Sequence, residues 1–124
     1  MRAIALATLA ACADLQAAPK LSCTQDSTRA YFCIDENGVR SGTGKNMDLR
    51  ASRLYNGTPQ SVSDAGVNLI VSCPTRITVL QDLRGINIGG AKSNATDVLR
   101  TLSQWLCDHP KPRPDPKLRQ FGPD

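Results

Sequence analysis

The chain has 124 residues, of which 40% are hydrophobic and 21% charged, a balance that suits one packed domain and excludes wholesale disorder. Aromatic residues make up only 4%, too few for a nucleic-acid stacking platform, and a single histidine excludes a multi-histidine metal site. The formal charge is +4, but basic residues are interspersed with acids along most of the chain and cluster only at 111–119, the pattern of a solvated surface.

Residues 1–19 read as an export signal. Arg2 supplies the positive start, residues 3–11 are small and apolar, and small residues then offer cleavage sites. Within this stretch Leu9-Ala10-Ala11-Cys12 resembles the lipobox of bacterial lipoproteins. The resemblance implies that Cys12 carries a lipid and becomes the first mature residue, making it the chain's only membrane anchor, since no apolar run reaches the roughly 18 residues of a span. An ordinary cleavage would instead free the protein into the periplasm or the medium.

With Cys12 lipidated or removed, four of the five cysteines remain: Cys23, Cys33, Cys73 and Cys107. An even set in an exported domain predicts two disulfides, each contributing roughly 2–4 kcal/mol. None of the spacings is Cys-x-x-Cys, so neither a zinc ribbon nor a thioredoxin-like site is expected, and no metal or other cofactor is called for.

The alternation at 28–35 predicts a strand with Ala30, Phe32 and Ile34 on one face and Tyr31 and Cys33 on the other. Asn37-Gly38 then suits a tight hairpin turn, with 39–43 returning and Asp35 opposite Arg40. Gly42-Thr43-Gly44-Lys45 is not a phosphate loop: the required first glycine falls at Val39, and Asn46 stands where Ser or Thr must hold magnesium. Residues 47–55 fit a short helix or a strand, Asn56-Gly57-Thr58-Pro59 breaks the chain, and 59–66 read as a loop.

Residues 67–88 predict a three-stranded meander. Pairing Val71 with Ile77 and Val79 with Ile88 puts Val67, Leu69, Val71, Ile77, Val79, Ile86 and Ile88 on one face, with Pro74 in the first turn. The cover for that face is a helix over 95–108, capped by Ser93 or Asn94 and ended by Pro110. Ala95, Val98, Leu99, Leu102, Trp105 and Leu106 form its apolar stripe. The fold class expected is therefore α+β: a small two-layer domain at 20–109, with an antiparallel sheet (hairpin plus three-stranded meander) covered by one C-terminal helix and stapled by disulfides.

Starting beside the first meander turn, a helix of ~14 residues would carry Cys107 roughly 20 Å away from Cys73, beyond the ~7 Å reach of a bridge. Two pairings stay open on this reading: Cys33–Cys73 with Cys23–Cys107, or Cys23–Cys73 with Cys33–Cys107. Residues 110–124 have Pro110, Pro112, Pro114 and Pro116 at alternate positions, followed by Leu118 and Phe121. This predicts an extended tail outside the core. Pro112, Pro114, Pro116, Leu118 and Phe121 would dock on a partner, with Phe121 as anchor.

His109 lies between Asp108 and Pro110 at a helix end, a capping position, and adjacent residues do not make a triad. The expectation is a non-catalytic exported binding or structural module of the cell envelope that meets an envelope or extracellular protein and no nucleic acid. The alternative is a small secreted effector or inhibitor acting on a host or competitor target.

Overall fold

In the computed structural model, which describes residues 18–119, eight strands and one helix follow in chain order. They are β1 (Leu21–Gln25), β2 (Tyr31–Asp35), β3 (Arg40–Ser41), β4 (Leu49–Thr58), β5 (Ser61–Ser72), β6 (Ile77–Asp82), β7 (Asn87–Lys92), α1 (Asp97–Cys107) and β8 (Arg113–Pro114). The main sheet runs β1-β2-β4-β5-β6-β7 with every neighbour antiparallel. The short β3 pairs with β4 and, in parallel, with β8. The fold is α+β, an antiparallel sheet with one C-terminal helix and two disulfides.

The meander forms, but in neither predicted register: β6 sits one residue out against β5, and Val79 pairs with Gly90 rather than with Ile88. Ser72 pairs with Ile77, Ile70 with Val79 and Leu69 with Leu80. A shift of one residue exchanges the faces. Leu80 therefore joins Leu69 and Val71 under the helix, while Ile77 and Val79 lie with Ile70 on the far side. The seven residues expected on one face are divided, and Ile86 and Ile88 stand exposed.

The helix face packs Ile34, Val39, Leu54, Leu69 and Val71 against Leu102 and Leu106, flanked by Phe32, Leu80, Val98, Leu99 and Trp105. The predicted helix stripe is this contact except for Ala95, which precedes the helix and is exposed. The helix cap is Thr96 rather than Ser93 or Asn94: Thr96 is extended, and its Oγ1 accepts from the Leu99 N–H at 3.1 Å. Residues 93–96 first cross back over the sheet, so that Thr96, Val98 and Leu99 lie beside Leu80 and Asp26 while Arg100, Gln104 and Asp108 lie beside Arg76.

That return overturns both expected disulfide pairings. The helix starts away from the β5–β6 turn and ends at it, bringing Cys107 to Cys73 with Cα atoms 5.8 Å apart. The other bridge joins Cys23 to Cys33, directly opposite in the β1–β2 register, with Cα atoms 4.0 Å apart. β1 itself was not anticipated from the sequence.

The Asn37-Gly38 hairpin does not form. Glu36–Gly38 is a 3-10 turn capped by Asp35, whose Oδ1 accepts from the Asn37 N–H at 3.0 Å. Gly38 is not among the residues with positive φ, which a tight hairpin turn would require of it. The chain leaves β2 and pairs as β3 with β4, so Arg40 bonds Asp115 and Asn68 rather than facing Asp35.

The ambiguous 47–55 stretch is strand from Leu49 onward, with Met47 and Asp48 in a turn. With the residues read as a breaker and loop, it makes the long β4–β5 hairpin, turning at Pro59 and Gln60. Gly57 holds φ +149° there, and a Cβ on it would stand 2.0 Å from the Ser61 carbonyl oxygen, so only glycine fits.

The far face of the sheet carries a second small core of Leu49, Ala51, Ile70 and Leu118. Its lid comes from the tail, which is extended as expected but is not outside the core. Because proline alternates with other residues, the N–H groups of Arg113 and Asp115 both point to β3. They donate to Val39 O at 2.9 Å and Ser41 O at 2.8 Å, so the missing proline donors cost nothing. Leu118 is then only 5% exposed. Leu118→Ala is expected to destabilise the domain by about 2–4 kcal/mol, lowering the melting temperature by roughly 10 °C or more. A shift below roughly 2 °C in calorimetry would show that the tail is not part of the core.

Candidate functional site

The tail residues singled out by sequence separate in the structure. Pro112 is half-buried, Pro114 and Pro116 are exposed, and Leu118 is committed to the chain's own core. Phe121 and Cys12 lie outside the described residues. Arg40 fixes the tail from below: its guanidinium bonds the Asp115 carboxylate at 2.8 Å and Asn68 Oδ1 at 3.0 Å, and both ion-pair partners are partly shielded from water.

His109 also serves this junction. Its Nδ1 accepts from the Lys111 N–H at 3.3 Å, so in the neutral ring Nε2 carries the proton, which is directed at Glu36 O, 2.9 Å away. The imidazole thereby ties the end of α1 to the turn after β2. Among the described residues no group of three or more His, Cys, Asp or Glu could hold a metal ion, and no helix is long and apolar enough to cross a membrane.

The surface that stands out is the β6–β7 hairpin. Among the described residues, four of the five exposed large hydrophobic side chains lie on it: Ile77, Leu83 (59% exposed), Ile86 (51%) and Ile88 (56%). Among the described residues β7 pairs only with β6, so its outer backbone edge is open. Leu80 pairs with Gly89 and Gln81 with Asn87, which leaves Ile88 as the extra residue of a β-bulge. A bulge re-aims its side chain out of the regular pleat. Gly89 and Gly90 supply no cover of their own, and residues 87–90 are all exposed.

The turn of this hairpin is stiff. Asp82 Oδ1 accepts from the N–H groups of Arg84 at 2.9 Å and Ile86 at 3.0 Å, and Oδ2 meets the Arg84 guanidinium at 3.1 Å. The order of residues anticipates this, since an Asp that begins a Gly-containing turn commonly accepts from backbone two residues on. What the sequence did not reveal was that Ile86 and Ile88 lie outside the core; that follows only from the register.

A family-model scan gives no match to this chain, nor do searches of curated proteins and of solved structures.

The Ile86 amide, with help from Arg84, holds the Asp82 carboxyl below the ordinary carboxylate range. A carboxyl whose pKa is lowered by folding contributes its full stabilisation above the ordinary value and loses it as pH falls through the lowered one. The turn should thus be braced at neutral pH and loosen only in strong acid. In a pH series of amide spectra, the Ile86 resonance should move with a midpoint below the ordinary carboxylate range. A midpoint within that range would mean that the carboxylate does not hold the turn.

Proposed function

We propose that this chain is a non-catalytic, exported binding module of the cell envelope, and that the β6–β7 hairpin is the surface that meets its protein partner. The observation that carries the reading is the concentration of exposed aliphatic side chains on a hairpin whose second strand, β7, is an open edge. Isolated exposed apolar residues are ordinary on soluble proteins, but a cluster beside a sheet edge that no further strand covers suits an extended partner segment that adds as a strand. Main-chain hydrogen bonds would supply affinity, and Leu83, Ile86 and Ile88 would select apolar side chains.

Two disulfides support export, because such bonds persist in oxidising compartments. A lipid on Cys12 would hold the module at a membrane surface, with the domain reaching into the surrounding aqueous space.

A photo-crosslinking residue placed at Ile88 in the native host tests the reading. It should give a discrete protein adduct that disappears when Leu83 and Ile86 are both changed to Lys. The same residue placed at Gln25, on the opposite edge strand, should give none. Since all these side chains are exposed, melting temperatures should stay within a few degrees of the wild type. The absence of a discrete adduct at Ile88, or equal adducts at both edges, would reject this surface. Fractionating the same cells would show the wild type with the membranes and Cys12→Ser released; a wholly soluble wild type would reject the lipid anchor.

A further inference from the structure

At the other end of the β6–β7 hairpin lies a cavity of about 590 Å³ with different chemistry. Its walls come from three segments: Thr75 and Arg76 of the β5–β6 turn, Lys92 and Ser93 at the end of β7, and Arg100, Gln104 and Asp108 along α1. We propose that this cavity binds a phosphorylated, hydroxyl-rich small group, such as a sugar phosphate or the equivalent lipid headgroup.

The charge is the first argument. Arg76, Lys92 and Arg100 face the cavity, against one acid, Asp108. Among the described residues Arg76 and Lys92 form no ion pair, and Arg100 pairs only with the exposed Asp97. Two guanidinium groups offer flat, forked donors that fit phosphate oxygens, and an ammonium adds a point charge.

The second argument is that the site is built and not merely charged. Among the described residues Arg76 is one of two non-glycine residues with positive φ, at +57°, a conformation that costs free energy for a long side chain. It is held there from both sides: its N–H donates to Ser72 O at 2.8 Å, and its carbonyl accepts from the Ser93 N–H at 2.7 Å. The Cys73–Cys107 bond ties the turn that carries Arg76 to the end of the helix that carries Gln104 and Asp108. Two walls are thus fixed relative to each other before any ligand arrives, which reduces the ordering cost of binding.

Size and polarity then select the ligand. The volume falls in the range of small-molecule sites and exceeds what one phosphate fills. The rest of the lining is Thr75, Asn94 and Gln104, with the Asp108 carboxylate as an acceptor for hydroxyl groups. Ser93 meets the cavity as part of the wall beside Arg76, where it is 4% exposed and its Oγ is buried. Among the described residues no aromatic or aliphatic side chain lines the cavity, so an apolar body is disfavoured against a sugar-like one.

The test uses the full chain with both disulfides formed. Glucose 1-phosphate, inorganic phosphate and glucose are titrated while amide spectra are recorded. Co-sedimentation is measured with phosphatidylcholine vesicles with and without phosphatidylglycerol. Arg76→Asn removes the charge and retains a residue that tolerates positive φ. Arg84→Gln makes the same charge change at the far turn.

The expected result is saturable binding of glucose 1-phosphate or of the phosphatidylglycerol vesicles. It should be weakened about tenfold by Arg76→Asn and by Lys92→Gln, and unchanged by Arg84→Gln. Binding confined to the soluble probe would assign the ligand to free sugar phosphates; binding confined to the vesicles would assign it to a lipid headgroup. Absence of binding to both, or an equal loss with Arg84→Gln, would overturn the site.

Discussion

Cys107 is bonded to Cys73, and that bond sets the last turn of α1 against the β5–β6 turn. The consequences run in both directions along the chain. Backwards, the helix must lie across the sheet, which buries Leu102 and Leu106 over Ile34, Leu54, Leu69 and Val71. Forwards, His109 emerges beside Glu36, and the tail is delivered to the open side of β3. A disulfide closing a loop of this length also removes conformational freedom from the unfolded chain, by roughly 3–4 kcal/mol in the chain-entropy account. For a domain of this size that is a large share of the typical net stability.

The helix alone would not suffice, because the sheet is apolar on both faces. The four residues 73–76 between β5 and β6 set Leu69 opposite Leu80 and Ile70 opposite Val79, so aliphatic groups go to either side in pairs. One side receives α1. The other receives Leu118 over Leu49, Ala51 and Ile70. The proline-rich segment thus acts as a strap: proline keeps it extended without competing for β3's acceptors, and the intervening residues supply the donors.

The helix, most of its stripe and the strands at 31–35 and within 67–88 were legible because each is written as a local period, 3.6 or 2. Face assignment was not, since alternation is the same in either register and only the turn length, four residues rather than five, decides which set faces inward. The pairing of Cys73 with Cys107 was hidden by residues 93–96, which reverse the helix without any periodic signal. β1 was hidden because Leu21-Ser22-Cys23-Thr24-Gln25 is a half-exposed edge strand with little apolar content. The strap was misread because alternate prolines exclude a central strand yet permit an edge. The two surfaces given functional roles share this history: Ile86 and Ile88 become exposed, and Arg76 and Arg100 converge, only once register and helix direction are known.

Mapping the disulfides in the native protein by non-reducing proteolysis and mass spectrometry tests the account most directly. It predicts two linked peptide pairs, Cys23 with Cys33 and Cys73 with Cys107. A Cys23–Cys107 or Cys33–Cys73 peptide would place the end of α1 at another part of the sheet, and the covered faces, the strap and the cationic cavity would all be wrong together.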